Sequence, residues 1–549
     1  MLLKLKAISS MEKVFADEEL NAPVLEKASV LRGEVFSFQI ACFCDVHADL
    51  AVKVDSALTC AAEIRETVLV PCEVPANEPG ENPDLLRNTP GLYPDLLMPI
   101  AETIKTVSNQ WRTVWVTLRI ADNEPAGEKT VSCKLKLSSF VSGENTEAET
   151  TLRLEVLPAA LPEQKLVHTQ WFHTDCIYSY YKAECWSEEH WRLLDKYFAN
   201  FTRHGINMLL TPLWTPPLDT KVGGERPTVQ LLGIEKDGDT FKFDFSRLGR
   251  WIDVALENGV KYFEMAHPFT QWGAEFCPKI IVRENGEDKK MFGWHTSSRS
   301  REYISFLRQM FPQLLAFLDK KAVKDRCFYH VSDEPSLEHL EGYKPCADLI
   351  RELTDGAPVI DALSNIEFYK NGLVEYPVPA NDHIEPFVEA GVKPLWTYYC
   401  IGQREKVPNR FFNFPSYRNR VMGVLMYKYD IYGFLQWGYN FWYSQYSLNQ
   451  KLDPFKSTDA GRCFASGDAF QVYPGEDGPL DSTRNEITFE SIQDLRALRK
   501  LEELQGREAT VALIEEGLDN ELKMVSYPRS AAWLLDLRER VNKRIAELI

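Results

Sequence analysis

Residues 327–335 read CFYHVSDEP. An apolar, aromatic run of strand type ends in two adjacent carboxylates, Asp333 and Glu334, and Pro335 closes it. Neighbouring like charges repel, and burial penalises each one further. Adjacent acids are ordinary on solvated surfaces, as at Asp17-Glu18. A run as apolar as CFYHV belongs in an interior, so its two acids read as functional rather than as a cap for the next helix.

The rhythm around this strand decides the fold. From about residue 166, strand-like and helix-like segments alternate. LVHTQWFH (166–173) precedes a helical segment over 187–205, which starts at Ser187 with acids in its first turn and stops at Gly205. INMLLTPLW (206–214), VKYFEMAHP (260–268), CFYHVSDEP, PVIDALSN (358–365), YPVPAND (376–382), KPLWTYYC (393–400) and YGFLQWGYNFW (432–442) continue the series. Eight strands with helices between most of them, over roughly 280 residues, predict a (β/α)8 barrel of TIM type. The alternative is an open doubly wound sheet, whose GxGxxG fingerprint is missing after the first strand. A hairpin insertion over 228–245 turns at Asp237-Gly238.

The flanks differ. EVFSFQIACF (34–43), WRTVWVTLRI (111–120) and VSCKLKL (131–137) read as strands, separated by turn clusters such as ANEPGENP (76–83) and DNEPAGE (122–128). They predict an N-terminal β-sandwich. LPAALPEQ (157–164) reads as a linker. Helical periodicity returns in ITFESIQDLRALRKLEELQ (487–505) and RSAAWLLDLRERVNKRIAEL (529–548). The expected organisation is a multidomain α/β chain: a β-sandwich over 1–160, a catalytic barrel over 165–445, and a C-terminal segment over 446–549 whose helices pack on the barrel.

The 549 residues carry a formal net charge of -18, from 62 basic and 80 acidic side chains. That sign argues against nucleic acid or an anionic membrane as partner. Lys4 and Lys6 break the apolar N-terminal stretch, so no secretory signal is expected, and no apolar run reaches the ~18 residues of a membrane span. The 12 scattered cysteines contain no CxxC pair, which suits reduced thiols and a cytoplasmic location.

In a barrel, the C-terminal strand ends form the active face. They would present Trp171, His173 and Asp175; Trp214; His267; Asp333 and Glu334; Ser364 and Asn365; Trp396 and Tyr398; Trp437 and Tyr439, then Asn440 and Trp442. Residues two apart on a strand share a side. Aromatic faces stack on the C–H faces of sugars, and asparagine, histidine and tyrosine serve hydroxyls. No cationic cluster suits phosphate, so a carbohydrate is the expected substrate. Trp171, His173, His267, Asn365, Trp396, Tyr398, Trp437 and Tyr439 are the candidate sugar contacts, although any one barrel aromatic is more often core. His168 and His173 lack a third ligand at recognisable spacing, and HExxH, GxSxG and P-loop patterns are absent. No metal or cofactor is expected.

Most glycosidases set two carboxyls across the scissile bond, about 5–5.5 Å apart for retention or 6.5–9.5 Å for inversion. Neighbours on one strand point to opposite sides, so Asp333 and Glu334 are not expected to form that pair. They are expected to divide the work. Glu334, held protonated by burial and its neighbour, would be the general acid; Asp333, ionised, would accept the N–H of a 2-acetamido group whose oxygen attacks the anomeric carbon.

The strand end HVSDEP (330–335) resembles the signature of glycoside hydrolase family 123, the β-N-acetylgalactosaminidases within the broader domain-of-unknown-function 4091 group. GEVFSFQIACF (33–43), LWTYYC (395–400), GFLQWGYNFW (433–442) and DAFQVYPGEDGPLDSTRNEITFESIQDL (468–495) resemble further stretches of that family, with LDSTRNE the loosest match. The resemblance spans nearly the whole chain. It implies retaining, substrate-assisted removal of terminal β-linked N-acetylgalactosamine. Glu334 would be the acid/base, Asp333 the acetamido-orienting carboxylate, Tyr398 a donor to the intermediate, and Trp396 and Trp437 walls of the acetamido pocket. A glycoside hydrolase for another sugar, such as N-acetylglucosamine, and a non-catalytic carbohydrate-binding protein remain the alternatives.

Overall fold

The computed structural model describes residues 1–76, 84–140 and 142–549, so nearly all of the turn cluster at 76–83 lies outside the described residues. Contacts divide the chain into two compact units: Met1–Gln164 with Arg404–Tyr429 and Leu480–Ile549, and Lys165–Gln403 with Asp430–Pro479. The chain is thus a mixed α/β multidomain protein with a strand-rich N-terminal region.

Ten strands open the first unit: β1 (Leu3–Ser9), β2 (Lys27–Arg32), β3 (Val35–Cys44), β4 (Ala48–Ser56), β5 (Glu63–Cys72), β6 (Gly91–Pro99), β7 (Ile104–Lys105), β8 (Gln110–Arg119), β9 (Gly127–Ser139) and β10 (Asn145–Ala160). They form two five-stranded sheets, β1-β3-β8-β5-β6 and β2-β10-β9-β4-β7. The period-2 pattern of VSCKLKL sends Val131, Cys133, Leu135 and Leu137 inward, where they join Phe38, Ile40, Val114 and Val116 of the other sheet in one core. The expected C-terminal helices are present, at Thr483–Gln505, Arg507–Glu515 and Ala531–Leu548, and contacts group them with these sheets. Buried ion pairs fasten them. Arg65 on β5 meets Asp481 and Glu486, each at 2.7 Å, and Arg538 meets Glu34 at 2.6 Å and Asp494 at 2.9 Å. Removing one partner would strand a buried charge, so these pairs fix the register of helix on sheet.

In the second unit strands alternate with helices: β11 (Val167–Gln170), α1 (Thr174–Tyr181), α2 (Glu188–Arg203), β12 (Met208–Thr211), β13 (Gly233–Asp237), β14 (Thr240–Asp244), α3 (Ser246–Glu257), β15 (Tyr262–Met265), β16 (Ile280–Glu284), β17 (Glu287–Phe292), α4 (Arg301–Lys320), β18 (Cys327–Phe328), α5 (Leu340–Leu353), β19 (Ile360–Ala362), α6 (Glu367–Lys370), β20 (Tyr376–Val378), α7 (Glu385–Glu389), β21 (Leu395–Tyr399) and β22 (Ile431–Gln436). Local signals act as the sequence suggests. Ser187 caps α2 by accepting from the His190 N–H, and Gly205 follows the helix at φ +72. The β13–β14 hairpin turns at Gly238-Asp239, one residue later than expected because Asp237 still pairs with Thr240, and is extended by β16 and β17 into a small sheet.

Parallel pairing is continuous over six strands, in the order β18-β15-β12-β11-β22-β21. β19 and β20 form their own parallel pair, joined to the rest only by single parallel bridges, Tyr329↔Val359 and Ala380↔Tyr398. The predicted eightfold ladder is therefore interrupted on both sides of β19–β20. Two causes are local. The N–H groups of Val331 and Ser332 donate to the Asp361 carboxylate instead of a neighbouring strand. Pro358, Pro377 and Pro379 supply no donors at all.

Inside these strands Val167, Met208, Phe328, Ile360, Val378, Trp396 and Leu435 share a core. Gly433 is what admits Trp396: a Cβ there would lie 2.2 Å from the indole ring. Gly433→Ala is expected to destabilise by about 1–3 kcal/mol through overpacking, read as a lower thermal midpoint.

Candidate active site

β18 yields its ladder after Phe328, and the chain reaches the two acids in an irregular conformation. Glu334 has φ +42, the left-handed region that non-glycine residues rarely enter. Two main-chain bonds hold the bend: the Glu334 N–H donates to the Ala362 carbonyl at 3.0 Å, and the Trp272 N–H donates to the Asp333 carbonyl at 2.8 Å. Strand alternation therefore does not govern Asp333 and Glu334. Both line one cavity of about 210 Å³.

The Tyr398 hydroxyl donates to Glu334 Oε1 at 2.7 Å. Burial, then the neighbouring Glu334 charge, raises Asp333 well above the usual carboxylate range, while the buried His330 opposes this. Burial also raises Glu334, and the Tyr398 bond partly offsets it. The pair thus holds a proton readily.

Of the sequence-predicted contacts, Trp171, His173, Tyr398 and Trp437 line the cavity with the acids. His173 has no free nitrogen: Arg226 donates to Nδ1 at 2.9 Å, and Nε2 lies 2.9 Å from the Trp437 carbonyl. Burial and the Arg226 charge lower its pKa far below 6.5, so it is neutral and orients Trp437. The other four lie elsewhere. Trp396 shares the strand side of Tyr398 but sits fully buried in the strand core against Phe328. Tyr439 follows the end of β22, stacks on Phe172 and donates to Asn200 at 2.7 Å. Asn365 accepts from the Glu367 N–H at the start of α6. His267 is buried, with its ring stacked on His330 at 3.8 Å.

That stack belongs to a polar layer beside the cavity. His330 Nε2 lies 2.7 Å from Glu264 Oε1, and Nδ1 lies 3.2 Å from Asp361 Oδ1. Trp171 Nε1 donates to Glu264 at 2.8 Å. Burial would lower the His330 pKa, but its two carboxylate partners overcome this and raise it to about 9. His267, His330 and Asp361 could converge on a cation. The protonated imidazole already supplies the positive charge there, and both its nitrogens are spent. Sequence reasoning missed Glu264 and Asp361, and the available signal was a lone acid inside an apolar strand, YFEM (262–265) and VIDA (359–362). It also missed Asp219, Gln271, Trp272 and Tyr446, which reach the cavity from irregular segments with no periodicity to read.

Three carboxyl groups, Asp219, Asp333 and Glu334, in an aromatic-walled cavity without lysine or arginine among its described lining residues suit glycosidic bond cleavage. The comparisons give the same class, a glycoside hydrolase. The model of the glycoside hydrolase 123 catalytic domain matches residues 171–501. The chain belongs to glycoside hydrolase family 123. Among solved structures, a family 123 glycoside hydrolase from Clostridium perfringens, studied for glycolipid glycan hydrolysis, aligns over 100% of this chain and 98% of its own, with a TM-score of 0.74 at 16% identity. A β-glucuronidase from Parabacteroides merdae aligns at a TM-score of 0.25 and 10% identity, over 79% of this chain and 46% of its own. A family 5 mannosidase from Rhizomucor miehei aligns at 0.32 and 10%, over 63% and 94%. No curated protein matches the chain.

The charged histidine has a consequence for stability. Its folded pKa of about 9 exceeds the ordinary value of 6.5. Its contribution, at most about 3 kcal/mol, is full below about pH 6.5 and is lost as pH rises through about 9. His330→Gln is expected to lower stability at about pH 6 more than at about pH 9.5, measured by urea unfolding at both values.

Proposed function

We propose that the protein is an exo-acting, retaining β-N-acetylgalactosaminidase working by substrate-assisted catalysis. The observation that carries this reading is the placement of Asp333 and Glu334 together in one cavity, with Tyr398 bonded to Glu334. Adjacent residues cannot stand on opposite faces of a sugar ring, so a second protein carboxylate is not the nucleophile. The substrate supplies it. Asp333 accepts the acetamido N–H and turns the amide oxygen toward the anomeric carbon. That oxygen forms the new C1–O bond as the glycosidic bond breaks, and Glu334 gives its proton to the departing oxygen. An oxazolinium results. Glu334, now a base, takes a proton from water as the water attacks the anomeric carbon and reopens the ring, so configuration is retained.

The setting supports the same reading. We take β11, β12, β15, β18, β19, β20, β21 and β22, each paired in parallel to the next through ladders or single bridges, as the eight strands of a (β/α)8 barrel whose C-terminal ends carry the site. Cytoplasmic placement rests on the scattered free cysteines.

An aryl β-glycoside panel tests the function. Turnover of the 2-acetamido galactoside with none of its 2-hydroxyl twin is expected, and equal rates would remove the role given to Asp333. Glu334→Gln is expected to cost about 10²–10⁴-fold in kcat on poor leaving groups and much less on activated aryl ones. Asp333→Asn should weaken binding of a thiazoline mimic of the intermediate, measured calorimetrically.

A further inference from the structure

We propose that Asp219 sets which terminal sugars the site accepts: its carboxylate takes the hydrogen bond of one ring hydroxyl remote from carbon 2 and turns away sugars that carry an anionic group. The proposal rests on the glycosidase reading above and adds a determinant that reading does not use.

Asp219 lines the same cavity as Asp333 and Glu334, from an irregular segment after β12. It has φ +49 and is held from several sides. Its N–H donates to Gln271 Oε1 at 2.7 Å, and its carbonyl accepts from Ser447 Oγ at 3.1 Å. The N–H groups of Tyr446 and Ser447 point at its carboxylate. Trp272, next to Gln271, is the residue that bonds the Asp333 carbonyl. One dipeptide, Gln271-Trp272, therefore positions both Asp219 and Asp333. An acid fixed this firmly loses little entropy when a ligand meets it.

Its chemistry is unspent. Asp219 Oδ2 takes no hydrogen bond and is shielded from solvent, so the carboxyl must turn for a sugar hydroxyl to reach it. Three other polar side chains on the wall are engaged: His173 through both nitrogens, Gln271 through its amide to Thr220, and the Tyr398 hydroxyl on Glu334. A buried acceptor without a donor is costly, and a sugar hydroxyl is the donor a glycosidase cavity receives. The lining holds three carboxylates and no lysine or arginine among its described residues. Arg226, whose charge reaches Asp219, is fully buried and bonded to Asp175 and His173. Burial raises the Asp219 pKa to about 7, so its repulsion of a sulfate ester or carboxylate on the terminal sugar grows as pH rises through that value, and no lysine or arginine of the described lining offsets it.

The test combines Asp219→Asn and Asp219→Ala with the 4-nitrophenyl acetamido glycoside, its 3-, 4- and 6-deoxy forms, and its 6-O-sulfate. Asp219→Asn should lower kcat/KM on the parent about ten- to hundredfold. One deoxy sugar should show that loss already in the unsubstituted enzyme, with little more in the variant, so the two losses fail to multiply. The preference for parent over sulfate should narrow in both variants. Thermal unfolding checks that they fold. Losses that multiply on all three deoxy sugars, or an unsubstituted enzyme indifferent to every deoxy change, overturn the proposal while leaving the glycosidase reading intact. An unsubstituted enzyme that cleaves no acetamido glycoside overturns both.

Discussion

A charged imidazole sealed beside the cavity is the constraint on which the rest of the second unit depends. His330 joins Glu264 on β15 to Asp361 on β19, so three successive strands meet at one cation. The imidazole could not stay protonated at that depth without its two carboxylate partners. Asp361 does more than balance charge. It accepts from the N–H groups of Val331 and Ser332 and from the Tyr343 hydroxyl. Those bonds replace ladder bonds just before Asp333, which frees the chain to leave the sheet where Asp333 and Glu334 turn.

The turn is made at the cost of backbone strain, and the strain is shared around the cavity. Asp219, Trp272, Glu334, Tyr446 and Ser447 all have positive φ. Such conformations cost of order 1–3 kcal/mol each and persist only where surroundings over-determine them. Here the surroundings are each other. Ser447 holds Asp219, Gln271 holds Asp219, and Trp272 holds Asp333. The rim is a chain of hydrogen bonds from Ser447 to Asp333, which explains how segments without regular structure can place side chains as firmly as strands do.

This division explains what could be read from the sequence. The strand–helix alternation, the capping at Ser187 and the hairpin after β13 follow local rules, and each is found where its residues put it, the hairpin turn within one residue. Periodicity also brought Tyr398 to the cavity. It could not tell depth, and Trp396, on the same side two residues earlier, lies a layer lower against Gly433. It failed where the strand had already ended, at Glu334 and at Tyr439, because alternation has no meaning off the ladder. Asp219 and Tyr446 had no pattern to betray them. Glu264 and Asp361 did, since an acid inside an apolar strand must have a partner, but the partner was another strand's histidine.

The proton held by the pair bears on the proposed chemistry. Burial raises both carboxyls, the neighbouring Glu334 charge adds to the rise at Asp333, and the Tyr398 bond opposes it at Glu334. Leaving-group protonation needs the proton on Glu334. An incoming amide N–H changes the balance, since a hydrogen bond donated to a carboxylate favours its ionised form. The proton then belongs on Glu334, one residue away. On the proposed mechanism the acetamido group therefore does two things at once: it brings the nucleophile and it moves the acid into readiness. A sugar with a hydroxyl at carbon 2 offers Asp333 a weaker donor and no attacking oxygen, so the adjacency of the two acids, which looks like an electrostatic fault, becomes a means of coupling catalysis to recognition of one substituent.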